Sequence, residues 1–312
     1  MSTQSKAIVD KLLTNVSNQL VPQGFLSELI LPSLKVKQRS GKIGKYGLNH
    51  LRIQTTLTGG KSHYPQVDTK VYDSDQYHIE SHALKDIVTA EDYDNVEKPF
   101  DAEQDTTIAL STMHQVVKEK ALADVMGDTS IITQNEVLSG TDQFSDYDQS
   151  NPNEKFKDAR VAVRNGCGFA PNVAIMDWNV AETLRYHPVL LDVLGFKFNR
   201  PNGLNDMELA RALNVKKVMI AECVYNNSRE GEADVLEPIW GKDLIFAHIA
   251  DRANLRQTTL GYRMELTGKQ PRQVYKKAQD EPINSTKVMV LDEYQQLLTN
   301  VNCAFLYKNA IA

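Results

Sequence analysis

The sequence predicts an α+β fold: a strand-rich, partly extended front half, one long helix, and a compact rear half of short helices and strands. Three observations predict it. Residues 36–80 alternate apolar and polar side chains between glycines. After Pro99, apolar residues recur at spacings of three and four over about seven turns of helix. Residues 154–290 then alternate short helical runs with short β-like runs.

Residues 1–35 read as an arm. Val9, Leu12, Leu13 and Val16 have helical spacing, but Pro22, Gly24 and Pro32 interrupt the segment. The run from Phe25 to Leu31 is too apolar to hang free, so it packs on its own subunit or on the next. In residues 36–80, Lys35–Gln38, Leu51–Thr55 and Tyr72–Ile79 alternate as strands do, around Gly41, Gly44, Gly47, Gly59 and Gly60. Apolar content there is too low for a separate core, and a long exposed hairpin buried against a partner is the expectation.

Residues 81–153 form the next unit, and 81–127 are read as its most helical part. Leu110, Met113, Val117, Ala121 and Val125 define one apolar stripe on a helix over 102–126, ended by Gly127. At 1.5 Å per residue such a helix is about 37 Å long. A polar loop over 141–153 follows. The unit over 154–286 opens with a helix (154–165) stopped at Gly166, then the strand Val173–Met176, a helix over 178–186 closed by Pro188, and a helix over 206–213. Val218–Ile220, Ile239–Gly241, Leu244–Ala247 and Gly261–Leu266 read as strands. In the last unit, 287–312, so do Lys287–Leu291 and Cys303–Leu306.

Composition narrows the function classes. In 312 residues, 41% are hydrophobic and 24% charged, the balance of soluble globular proteins. No run approaches the roughly 20 apolar residues of a membrane helix, and the first 20 residues lack a signal-peptide core. Thirty-five basic residues are dispersed among 40 acidic ones, for a net charge of −5. That disfavours a basic DNA-reading patch, though not the enclosing of DNA without gripping it. Cys167, Cys223 and Cys303 are isolated, and their spacing suggests buried thiols, not a disulfide framework or a zinc site.

The motifs that could carry chemistry fail on spacing. Gly60-Lys61-Ser62 resembles the end of a phosphate loop, but Thr55 stands where its first glycine belongs and Pro65 follows. Gly166-Cys167-Gly168 follows a helix instead of a strand, and Pro171 occupies the third glycine's place. His78-Ile79-Glu80-Ser81-His82 displaces the glutamate of a zinc-protease helix and sits where strand gives way to helix. The expectation is a chain with no catalytic residue, no metal and no cofactor.

The stretch from Asn165 through Gly168-Phe169-Ala170-Pro171-Asn172 and Val173–Met176 to Trp178–Pro188 resembles a helix, Gly-x-x-Pro-Asn, strand, and helix closing on His-Pro. That order, with Ala210–Val215 before Val218–Glu222, Ile239–Asp243, Lys287–Val290 and Ala304–Ala310, is similar to the tailed-phage major capsid protein family, the Hong Kong 97-type fold. The likeness runs from about residue 20 to the end. It implies an N-terminal arm (1–35), an extended hairpin loop (36–80), a peripheral domain on a long spine helix (81–153), an axial α/β domain (154–286) and a return to the peripheral domain (287–312).

The resemblance further implies a virion protein that assembles in the host cytoplasm with itself, as hexamers and pentamers of an icosahedral shell. Its other partners are then a portal, separate scaffolding or decoration proteins, and double-stranded DNA held non-specifically. No room precedes the arm for a built-in scaffolding segment. The expected assembly contacts are Arg52, Lys61 and Lys70 on the hairpin, with Met113 and Val117 on the spine helix; for each of the three cations a solvated surface charge is an equally plain reading. Two alternatives stay open: an encapsulin-like nanocompartment, and a cytosolic α/β enzyme built on residues 154–290.

Overall fold

The computed structural model describes residues 8–19, 24–45, 53, 56–57, 73–95, 101–195, 202–229, 231–253, 258–270, 272–279 and 285–312. In chain order its elements are β1 (Ile8–Val9), α1 (Lys11–Gln19), α2 (Ser27–Ile30), β2 (Ser33–Val36), β3 (Ser40–Lys45), β4 (Asp73–His78), β5 (Glu80–Val88), α3 (Ala90–Asn95) and α4 (Ala102–Met126). They continue with β6 (Asn135–Val137), α5 (Pro152–Cys167), β7 (Val173–Asp177), α6 (Trp178–Arg185), α7 (Pro188–Val193), α8 (Asp206–Leu213), β8 (Lys217–Ala221), β9 (Val224–Asn226) and β10 (Leu236–Pro238). The last are β11 (Leu244–Ala247), β12 (Gly261–Leu266), β13 (Arg272–Gln279), β14 (Ser285–Leu298) and β15 (Ala304–Lys308).

Two sheets organise these elements. The first has the order β1-β13-β14-β12-β2, with β5 paired to the other edge of the long strand β14. The second has the order β6-β15-β11-β7-β8. Its strands β7 and β11 are buried at every position, because helices cover the sheet and leave no wet face. Phe156 and Ala159 of α5, Val180, Ala181 and Leu184 of α6, and Leu209, Ala212 and Leu213 of α8 pack with Ala174, Met176, Phe246 and Tyr307. A second core joins the two halves: Leu122 and Met126 of α4 meet Ile30 and Leu31 of the arm, Ile175 and Ile245 of the second sheet, and Trp240.

Local chemistry sets the helix ends. Asp101 accepts hydrogen bonds from the amides of Glu103 and Gln104 and so starts α4. Asn205 and Glu208 form a reciprocal capping box on α8. Helix α5 runs past Gly166 to Cys167, and Gly168, at φ +83°, is the left-handed cap that ends it. Gly127 does end α4, but at φ −86° no left-handed turn is needed there.

Several expectations are corrected. The Lys35–Gln38 alternation does not belong to the hairpin: Ser33–Val36 pairs in parallel with β12 in the first sheet. Residues 81–88, expected at the start of a helical region, belong to strand β5, held by Thr286–Tyr294 of β14. The His78–His82 segment therefore joins strand to strand. Strand β13 carries Arg272, Lys276 and Lys277, whose charges hide its alternation in the sequence. The segment 287–312 does not return whole to one sheet: β14 crosses the first, whereas β15 sits between β6 and β11 in the second. Likewise β12 and β13, expected in the axial unit, lie in the first sheet. The hairpin also has a packed base, because Ile43 and Tyr77 join Ile79, Tyr262 and Met264 in a small core. The Leu51–Thr55 strand falls largely outside the described residues.

His187 gives this fold a pH dependence. It is fully buried, caps α7 by accepting from the Val189 amide at Nδ1 (3.3 Å), and has Nε2 2.9 Å from the Ser150 hydroxyl. Burial pushes its pKa down to about 4. A protonated ring would also turn Nδ1–H toward the amide it now accepts from. The unfolded chain takes up this proton near pH 6.5 and the folded one near 4, so stability is full above 6.5 and falls as pH drops between those values. The loss is on the order of 3 kcal/mol. Unfolding midpoints measured from pH 7 to 4 should decline in the wild type, and His187→Asn, which keeps a capping acceptor, should flatten that decline. An equal slope in the two proteins would remove His187 as its source.

Candidate assembly surface

Helix α4 turns its polar side inward. Thr107, Ser111, His114, Gln115, Lys118 and Glu119 are buried beside Leu110, Leu122, Ala123 and Met126. Of the predicted apolar stripe only Leu110 is buried. Ala121 and Val125 are exposed, and Met113 and Val117 keep 56% and 55% of their surface open to solvent. The stripe is real as a pattern, but it faces away from the subunit.

The inversion has a physical cause. Beside the apolar contacts of Leu110, Leu122 and Met126, the inner face of α4 meets polar groups of the chain that partner its own. The Ser111 and Ser17 hydroxyls lie 2.7 Å apart and tie α4 to α1. His114 Nε2 lies 3.1 Å from the Val290 carbonyl oxygen, and burial lowers the pKa of this ring. Lys118 Nζ lies 3.4 Å from Glu28 and 3.5 Å from Asp292, and 4.5 Å over the Tyr294 ring. Burial pushes the Glu28 carboxyl up, but Arg263, Lys118 and Arg272 together outweigh it and hold the group below the usual carboxylate range.

Glu119 is the most demanding of these groups, a carboxylate with no exposed surface. Its Oε1 accepts from the Leu26 amide at 2.9 Å and from the Trp240 indole N–H at 2.7 Å, and its Oε2 accepts from the Ser27 amide at 2.7 Å. One side chain of α4 therefore holds the arm and the turn after β10 together. This also answers where the Phe25–Leu31 run packs: Leu26, Ile30 and Leu31 are buried in this subunit's own core.

Of the residues expected to make assembly contacts, Met113 and Val117 stand on the outer face of α4. Arg52, Lys61 and Lys70 lie outside the described residues, as does the Gly60-Lys61-Ser62 motif. Between the ends of β3 and β4, Ile53 is 100% exposed and Leu57 90%. Glu28, Lys118, Glu119 and Trp240 were not singled out by the sequence. The available signal was the recurrence of Ser111, Gln115, Lys118 and Leu122 at the same helical spacing as the apolar residues. Among the described residues, no three His, Cys, Asp or Glu side chains gather as a metal site, and no helix is long and apolar enough to cross a membrane. The His82 ring instead stacks on Tyr294 at 4.7 Å.

Removing the Glu119 acceptor leaves buried donors unpaired. Glu119→Ala should lower the unfolding free energy by about 3 kcal/mol or more and Trp240→Phe by about 1 kcal/mol, both read by denaturant titration. A loss under roughly 0.5 kcal/mol for Glu119→Ala would place it with ordinary surface changes and deny the carboxylate this role.

No protein-family model matches the chain. It is 23% identical over 256 residues to a major capsid protein of Burkholderia phage BcepMu, an alignment that covers 81% of this chain and 80% of that one. A phage-related protein from Bordetella bronchiseptica RB50 superposes with a TM-score of 0.76 at 18% identity, over 98% of both chains. A structure from Microbacterium phage Oxtober96 gives a TM-score of 0.57 at 13% identity, covering 99% of this chain and 96% of the other. The chain has the Hong Kong 97-type fold of phage capsid proteins and is a homologue of a phage major capsid protein.

Proposed function

We propose that the chain is the major capsid subunit of a tailed phage, which assembles with itself into an icosahedral shell around double-stranded DNA. The observation that carries this reading is the outward apolar face of α4. A helix satisfied on its inner side by polar partners, yet lined on its outer side by Met113, Val117, Ala121 and Val125, is built to be covered by something else.

The hairpin supplies chemistry that matches. Ile53 and Leu57 extend from a base anchored by Ile43 and Tyr77, and in this reading the hairpin of one subunit lies over α4 of the next. Apolar area buried there contributes about 25 cal/mol per Å². Each contact is modest, and a closed lattice multiplies it, because one subunit cannot leave without breaking several at once. Arg52, Lys61 and Lys70 are the proposed charge contacts of the hairpin. The acidic balance of the chain suits an inner wall that confines DNA without adhering to it. The role is structural and not enzymatic. A portal, with scaffolding or decoration proteins, completes the set of partners, and the subunit acts in the virion after assembly in host cytoplasm.

Negative-stain microscopy with light scattering on purified protein should show closed shells, tubes or pentameric and hexameric rings. A uniform monomer or dimer, unchanged at high concentration with a crowding agent, would return the enzyme reading over 154–290. Met113→Asp with Val117→Asp should leave the unfolding free energy within about 0.5 kcal/mol of wild type and abolish assembly. To keep the packed base, the hairpin test replaces residues 46–72 with Asn-Gly, a two-residue turn between the paired Lys45 and Asp73. A folded subunit that forms no shells is the expected product; normal shells from either variant would deny the contact.

A further inference from the structure

We propose that Cys167 and Cys303 are a disulfide-forming pair, which a small oxidant of the peroxide class converts into a covalent staple between the end of α5 and the start of β15. The inference is independent of the assembly reading. It rests on where the two thiols lie and what surrounds them.

Cys167 is the last residue of α5, and Cys303 stands immediately before β15. Both have no exposed surface and belong to one core cluster, with Val163 a turn earlier on α5 and Ala304 and Leu306 on β15. The preceding residues already touch: a methyl group added at Gly166 would stand 3.0 Å from the Asn302 carbonyl oxygen and 3.2 Å from Asn302 Cβ. That backbone approach and the shared cluster put the two cysteines in one neighbourhood, the closeness that a disulfide requires. The Cys167 thiol donates to the Phe169 carbonyl oxygen at 3.3 Å, and the Cys303 thiol is near enough to perturb it.

This contact makes the two thiols unequal. The neighbouring Cys303 thiol lowers the Cys167 pKa from its ordinary value against the opposing effect of burial, which makes Cys167 the more readily ionised of the two. Cys303 is pushed up, by the neighbouring Cys167 and by burial. Cys223 is buried in the same cluster, but burial first and then the nearby Glu119 charge push it up to about 12. In this proposal Cys167 is the attacking sulfur, Cys303 the resolving one, and Cys223 an internal control.

The chemistry balances in two steps. The Cys167 thiolate attacks one oxygen of hydrogen peroxide; the O–O bond breaks, a sulfenic acid forms and, with one proton taken up, water leaves. The Cys303 sulfur then attacks the sulfenic sulfur. The S–S bond forms, the S–OH bond breaks, and the Cys303 proton departs with the hydroxide as a second water. Two electrons have passed from the two sulfurs to the peroxide. The product closes a loop from residue 167 to residue 303 that contains β7 through β14. Such a loop restricts the unfolded chain strongly and stabilises the folded one.

The test uses the full chain treated with hydrogen peroxide, alkylated in denaturant, and digested without reductant for mass spectrometry. The expected result is one intrachain peptide pair joining Cys167 to Cys303, with Cys223 alkylated. A raised unfolding midpoint should accompany it, and a dithiol reductant should reverse both. In Cys303→Ser, Cys167 should accumulate as a sulfenic acid trapped by dimedone, while Cys223→Ser should keep the link. The proposal is overturned if oxidised, folded wild-type protein still has both thiols free, if Cys167 runs on to sulfinic acid without pairing, or if Cys223 enters the linkage.

Discussion

A carboxylate buried with no exposed surface is tolerable only if donors surround it, and Glu119 collects its donors from two distant parts of the chain. Two come from the arm, at the amides of Leu26 and Ser27, and one from the Trp240 indole. Taking that charge out of water costs several kcal/mol unless the donors are in place. The arm, α4 and the turn after β10 therefore adopt their positions together or not at all. The mixed core around Leu122, Met126, Ile30, Ile175 and Ile245 is assembled around this constraint.

The same constraint fixes which way α4 faces. Once Glu119 and Lys118 must point inward, Ser111, His114 and Gln115 follow by helical geometry, and Met113 and Val117 are turned out. Stability inside the subunit is thus allotted to one side of the helix, and the contact proposed above to the other. The inner side is specific, because each polar group needs its own partner at its own distance. The outer side is apolar and carries no such demand, since apolar contact is non-directional.

Much of this was legible in the sequence. The bounds of α4 follow from Pro99, the apolar spacing and Gly127, and α6, α8, β7, β11 and β12 follow from short helical and β-like runs and the break before Pro188. What the sequence hid was orientation and partnership. An apolar stripe reports that a face will be buried, but not whether the burying surface belongs to the same chain. Strand β13 was hidden because Arg272, Lys276 and Lys277 interrupt its alternation, and their meaning depends on Asp292, Glu103 and Asp10 from elsewhere in the chain. The Glu119 clamp was illegible for the same reason: two of its three donors are backbone amides, which every residue but proline possesses.

The placement of β15 carries a consequence for manufacture. Residues 304–308 lie between β6 at 135–137 and β11 at 244–247, so a late segment completes the middle of a sheet whose other strands were made long before. Such long-range pairing forms slowly, and it cannot form at all in a chain interrupted upstream. A truncated product keeps two unjoined sheet edges and lacks Tyr307 and Leu306 from its cores. The fold thereby inspects its own completeness: only a chain translated through residue 308 can close the second sheet.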